Sequence, residues 1–246
     1  MPGKSLISPS WRSLFAHSFK TMLRLTSLLL LSLALRVHAD WTITQKVEGG
    51  LNSSQMTLKI KGDQARLDLT PGVAVITDLN TGDSVTLNNG ARIYMKIPGT
   101  ESAKLRESAL GLKEGAGLET PKLTPANKKE KIGDYDCEVF TWGIGELKVT
   151  DWVATKYPNF APLLAVLARF QNAGPAKAAQ PLMPPLESFP GMVVKREMNH
   201  RGTITTTTLT SAKEGPVDPK LFEIPADYKA QPALQLPAAA TPAPAK

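Results

Sequence analysis

The sequence predicts an α+β fold that is mainly β, an antiparallel sheet accompanied by helices, and three observations carry that prediction. Apolar and polar residues alternate with period two through much of the chain, turn residues recur between those runs at hairpin spacing, and only two stretches show helical spacing. Trp41, Ile43 and Val47 fall on one face, then Met56, Leu58 and Ile60, then Ala65, Leu67 and Leu69. Each set is the signature of a half-buried strand. Gly49-Gly50 with Asn52, Gly62-Asp63, Pro71-Gly72, Asn80 to Asp83 and Asn89-Gly90 separate the runs closely enough for hairpins. Val73 to Asp78, Ser84 to Leu87 and Arg92 to Ile97 continue the meander to about six strands.

Glu101 to Leu112 breaks the alternation, with Leu105, Ala109 and Leu112 at helical spacing and Thr100 placed to cap them. A loop rich in Gly, Thr and Pro follows from Gly115 to Asn127. Strand character returns over Lys129 to Ile132, Asp136 to Trp142 and Glu146 to Val153. The second helix, Asn159 to Gln171, is capped by Asn159, tolerates Pro162 in its first turn and is stopped by Gly174-Pro175. Phe160, Leu163, Leu164, Leu167 and Phe170 form its inward stripe, and Arg169 is its only charge. A helix so apolar must be covered on more than one side: it is wedged between a sheet and another element, or it lines a space that something apolar fills.

Four prolines between Ala176 and Pro190 predict an extended crossing rather than a helix. Val193 to Met198 and Thr203 to Ser211 then pair across Asn199 to Gly202, the second favoured as strand by its run of β-branched residues. Asp218-Pro219 opens a helical turn through Phe222, after which Ile224-Pro225 and Tyr228 tuck back on the body. The chain thus divides into a leader at 1–39, a single sheet domain at 40–229 and a Pro/Ala-rich disordered tail at 230–246.

The leader reads as a cleavable export signal. Arg24 precedes the apolar run around Leu28 to Leu31, and Val37-His38-Ala39 ends it in small-residue fashion. The run is short for a bilayer span. Met22 is an alternative start. Cleavage after Ala39 would leave 207 residues, with 24 of the 29 basic side chains against 22 acidic ones. A net charge of +2 with one short basic run, Lys128 to Lys131, gives no polyanion-binding surface, so no nucleic-acid partner is expected. No cysteine follows the apolar run to carry a lipid anchor, so the expected product is soluble, periplasmic or secreted, and without a membrane span. Cys137 is the one cysteine, which rules out an internal disulfide and puts stability on the core. It shares a strand face with Tyr135 and Val139, as a buried small apolar residue would.

Residue types also narrow the chemistry. Of three histidines, His17 and His38 belong to the leader, leaving His200 in a hairpin turn. One His and one distant Cys cannot build a His-rich zinc site, and no G-x-S-x-G, H-E-x-x-H or paired C-x-x-C run occurs. Gly143-Ile144-Gly145 lacks the third glycine and the following helix of a nucleotide fingerprint. Asp78, Asn80 and Asp83 lack the spacing and closing Glu of an EF-hand and read as turn residues serving the backbone. No catalytic, metal or cofactor-binding residues are assigned, and the chain is not expected to be an enzyme. Asn52-Ser53-Ser54 matches a glycosylation sequon, relevant only on a eukaryotic secretory route.

Several stretches together resemble a bacterial exported family known as domain of unknown function 4412. They are Trp41-Thr42-Ile43, Lys59 to Arg66, Ile132 to Cys137 and Asp218 to Tyr228, which span most of residues 40–229. The family looks like the periplasmic lipoprotein carriers, the LolA-like folds. That resemblance implies an incomplete barrel, a strongly curved antiparallel sheet of about nine to eleven strands with helices closing its open side. The resemblance supplies no binding residues; the apolar helix itself favours a carrier of a hydrophobic ligand, such as a lipid or lipidated protein, with its stripe Phe160, Leu163, Leu164, Leu167 and Phe170 as the candidate lining. The alternative is a non-catalytic structural or interaction domain of the cell envelope whose barrel is filled by side chains.

Overall fold

The computed structural model describes residues 39–49, 53–70, 72–102 and 119–232. The expected leader up to residue 38, Asn52, most of the expected helix from Glu101 to Leu112 and the tail beyond residue 232 lie outside them. Residues 99–102 are helical, so that helix begins just ahead of the expected Thr100 cap.

Among the described residues, twelve strands form one open sheet. They are β1 (Trp41–Gly49), β2 (Ser54–Lys61), β3 (Gln64–Thr70), β4 (Val73–Asp78), β5 (Ser84–Asn88), β6 (Ile93–Ile97), β7 (Thr124–Ile132), β8 (Tyr135–Ile144), β9 (Leu147–Ala154), β10 (Met192–His200), β11 (Thr203–Glu214) and β12 (Lys229–Gln231). Their spatial order is β12-β6-β5-β4-β3-β2-β1-β11-β10-β9-β8-β7. Two meanders thus meet where β1 pairs antiparallel with β11. The sheet is not closed, since β7 and β12 are its edges. Helices α1 (Phe160–Gln171) and α2 (Gly174–Ala179) lie in the connection between β9 and β10.

All eleven expected strands are present, and three departures have physical causes. Pro125 does not keep β7 from starting at Thr124, because β7 is an edge strand and a missing N–H costs no ladder bond there. The register breaks between Pro125 and Lys129, with Asn127 at φ 52°. Next, the Pro-rich crossing from Ala176 to Pro190 is largely helical rather than extended. Pro175 sits in the first turn of α2, where its ring is compatible with the helix, and 3-10 turns follow at Gln180–Leu182 and Leu186–Ser188. Gly174 therefore starts a helix instead of ending one. A side chain there would meet the Gly82 carbonyl oxygen and the Thr77 methyl, each at 2.9 Å. Last, Ala230 and Gln231, expected in the disordered tail, belong to β12, which pairs parallel with β6. Tyr228 Oη donates to Asn89 Oδ1 at 2.7 Å and the Lys229 N–H to the Arg92 carbonyl at 3.0 Å, holding the chain to that edge.

Three cores are buried among the described residues. The largest joins Trp41, Ile43, Leu58, Ile60 and Ala65 of β1–β3 to Leu163 and Val166 of α1, with Cys137, Val139, Trp152, Ala154, Met192 and Val194 from β8–β10. Phe140 and Val153 pack instead with Phe189. Alternate residues of β8 and β9 thus fall in different cores, so both faces are covered there. The remaining core holds Ala74, Ile76 and Leu87 against Val217 and Phe222 of the C-terminal segment. Register places it on the opposite face of β3–β4 from the first core. Ala65 and Leu67 oppose Thr77 and Val75, whereas Arg66 and Asp68 oppose Ile76 and Ala74.

Arg66 fixes that C-terminal segment to the sheet, donating from Nη1 to the Leu221 carbonyl at 2.8 Å and from Nε to Asp68 at 2.9 Å. Lys59 Nζ lies 2.7 Å from the other Asp68 oxygen. Burial disfavours the charged form of Asp68, but the hydrogen bonds and charges of Lys59 and Arg66 outweigh it and hold its pKa below the ordinary value. A lowered carboxyl pKa stabilises the fold above the usual carboxylate range and loses that contribution as pH falls through the folded value. Asp68→Asn is therefore expected to lower the unfolding midpoint at neutral pH, and the gap from wild type should narrow below about pH 4. Urea titrations at several pH values would check this.

Candidate functional site

A cleft of about 480 Å³ lies between the β9–β10 connection and the sheet. Its sheet wall comprises Ile43 and Gln45 of β1, Met56 and Leu58 of β2, Leu67 of β3, Thr207 and Leu209 of β11 and the stretch of β10 from Met192 to Met198, omitting Lys195 and Glu197. Phe160, Leu167, Phe170 and Gln171 of α1 face it, with Ala176 and Ala179 of α2 and the Met183 to Phe189 part of the crossing. Sites of this size commonly take small organic ligands.

The wall follows from the ladder. Ile43 opposes Leu58, Gln45 opposes Met56 and Leu209, and Thr207 opposes Arg196. Side chains that oppose one another across a strand pair share a face, so one continuous surface runs from β2 through β1 and β11 to β10. Bulges between Thr44 and Gln45 and between Val193 and Lys195 interrupt the pairing along this wall.

Helix α1 divides its apolar side chains between two tasks. Phe160, Leu167 and Phe170 line the cleft. Leu163 does not: it has no exposed surface and packs in the main core. Leu164 is half-buried and also lies outside the lining. Asn159 stands before the helix with φ 52° and makes no side-chain capping bond, contrary to the expected cap. Arg169, the lone charge, anchors the other end by donating to the Gly62 carbonyl at 3.0 Å and pairing with Asp63 in the β2–β3 turn. A cation in the last helical turn also suits the helix dipole.

One buried polar constellation adjoins the cleft. Arg196 donates from Nε to Asp151 Oδ1 at 2.7 Å and from Nη2 to Oδ2 at 3.0 Å, and Trp142 Nε1 donates to Oδ2 at 2.7 Å. Asp151 has no exposed surface, and the guanidinium lies 5.4 Å from the Trp142 ring centroid. Sequence reading missed this group. The available signal was Asp151, the only charge from Val149 to Ala154, but a single charge on one strand does not identify its partner, and Arg196 sits in the charged run Lys195-Arg196-Glu197 where nothing sets it apart.

The other candidates serve structure. Burial, together with the negative charge of Asp136, pushes the Cys137 thiol up against a smaller opposing effect of a backbone hydrogen bond with Ile132, and its Sγ donates to the Tyr135 carbonyl at 3.5 Å. A thiol so placed is kept from its reactive thiolate form. Tyr157 is likewise pushed up to about 12 by burial and by Tyr135, whose ring centroid is 5.0 Å away. Asp78 accepts the N–H groups of Asn80 and Thr81 at 2.8 Å each, and Asp83 accepts that of Gly99 at 2.8 Å, so both carboxylates order turns. His200 is exposed at the end of β10. Among the described residues, no cluster of three or more His, Cys, Asp or Glu is arranged to hold a metal ion, and no helix is long and apolar enough to cross a membrane.

The sequence profile of a family described as Domain of unknown function (DUF4412) matches residues 40–228. No curated protein matches the sequence. Solved structures resemble it distantly. PNGF-II aligns at TM-score 0.40 and 12% identity, over 80% of this chain and 31% of its own, so this chain spans about a third of that protein. The Mycobacterium tuberculosis lipoprotein LppX aligns at 0.36 and 10%, over 74% and 90%. An outer membrane lipoprotein-sorting protein domain from Vibrio parahaemolyticus aligns at 0.23 and 11%, over 76% and 90%. Likenesses this distant leave the function to be read from the cleft itself.

Proposed function

The chain belongs to the DUF4412 family, and we propose that it is a non-catalytic binding or carrier domain for a hydrophobic ligand, a lipid or the acylated part of a lipidated protein, working outside the cytoplasm. The observation that carries the reading is the cleft, whose lining is apolar apart from Gly191 and four polar side chains, Gln45, Gln171, Arg196 and Thr207. An acyl chain needs no directional partner: burial contributes about 0.8 kcal/mol per methylene, or roughly 8 kcal/mol for ten, before the cost of association. Phe160, Leu167 and Phe170 are the helix side chains assigned to the ligand.

Leu163 and Val166 favour a second reading, in which α1 fills the sheet and the protein is a structural or interaction domain of the cell envelope. Displacement separates the two. A fluorescent fatty-acid analogue should bind saturably, one per chain, with a Kd of about micromolar or tighter, and unlabelled hexadecanoate should displace it. Absence of saturable binding would overturn the carrier reading in favour of the filled one.

A further inference from the structure

We propose that the ligand is an anionic amphiphile whose headgroup is received by Arg196, an inference that rests on the carrier reading. Arg196 is the only charged side chain among the described residues that line the cleft. Its ion-pair partner Asp151 is fully buried and does not line it; directly opposite Arg196 across the β9–β10 ladder, it holds the guanidinium from the β9 side. The pair engages Nε and Nη2 and leaves Nη1 outside it. With Asp151 bonded along one edge and the Trp142 ring beside it, the guanidinium is fixed in orientation before any ligand arrives. A fork so held loses little freedom on taking a carboxylate or phosphate oxygen.

Two neutral polar side chains adjoin it. Thr207 opposes Arg196 across the β10–β11 ladder, and Gln45 precedes by two residues Val47, which opposes Thr207 from the other side. Arg196, Thr207 and Gln45 together put a cation, a hydroxyl and a carboxamide on one stretch of an otherwise apolar wall. A ligand that was hydrocarbon throughout would press methylenes on these groups and offer no partner to Arg196 Nη1, the hydroxyl or the carboxamide, which costs free energy. An acyl chain with an anionic end meets both parts of the wall. Fatty carboxylates and alkyl phosphates share that chemistry.

Hexadecanoate, hexadecyl phosphate, hexadecanol and inorganic phosphate, each tested as a competitor of the fluorescent analogue on the purified protein, distinguish the cases. At least one of the two anionic amphiphiles should bind about tenfold or more tightly than the alcohol, and the better one names the headgroup. Inorganic phosphate should not compete at millimolar concentration. In Asp151→Asn/Arg196→Gln, which removes both charges together, the preference over the alcohol should fall to about twofold or less. Thr207→Val keeps the ion pair and should narrow the preference in the same direction, so the assignment is testable even if the double variant does not fold. Equal binding of the alcohol and both anions by wild type, persistence of the preference in a folded double variant, or competition by inorganic phosphate as strong as by the amphiphiles would overturn the headgroup assignment while leaving the carrier reading intact. Failure of every amphiphile to bind would overturn both.

Discussion

Arg196→Leu alone is expected to lower the free energy of unfolding by about 3–5 kcal/mol, the cost of removing one partner of a buried ion pair. Asp151 has no exposed surface, and the change leaves its carboxyl with the Trp142 indole N–H as its remaining side-chain donor. The Asp151→Asn/Arg196→Gln variant should be distinctly more stable than Arg196→Leu, because no buried charge is orphaned. Urea denaturation of the three proteins measures this directly. A single change costing less than about 1 kcal/mol would mean that the pair is solvated and that the guanidinium is not held in place.

The second large effect separates the two faces of α1. Leu163→Ala should destabilise the fold by about 3–5 kcal/mol, since a fully buried leucine leaves a cavity its neighbours cannot fill. Leu167→Ala trims the wall of an existing cleft and should cost roughly 1–2 kcal/mol, as the side chain keeps fewer packed neighbours to lose. Binding should reverse the order: Leu167→Ala weakens the fatty-acid analogue several-fold, whereas Leu163→Ala, measured where it remains folded, changes it little. If both substitutions cost the same stability and neither changes binding, α1 is a plug on both sides.

The strand meander was legible because period-two alternation and Gly- or Asn-bearing turns are local signals. Ala65 and Leu67 on β3, or Gly62-Asp63 at its hairpin, announce themselves within a few residues. Helix α1 was legible for the same reason, down to its last residue. What failed depended on distant neighbours. Pro175 reads as a helix stop by itself, yet it opens α2 because Gly174 packs against Gly82 and Thr77. The strand β12 is three residues held by Arg92 and Asn89, which no composition of a Pro/Ala-rich segment reveals.

The site followed the same division. The apolar stripe of α1 pointed to the cleft, but 3.6-residue periodicity cannot say which apolar residue faces a core and which a space. Leu163 and Leu167 differ by one turn and fall on opposite sides of that boundary. Arg196 and Asp151 are separated by 45 residues and become partners only through the β9–β10 register.

Protein purified without detergent from cells that express the full sequence, extracted with organic solvent and analysed by mass spectrometry, tests the central claim most directly. The cleft predicts a co-purifying amphiphile at near-stoichiometric amount, depleted in a Leu167→Ala preparation. Extracts empty of any lipid, from protein that also leaves the fluorescent fatty acid unbound, would contradict it.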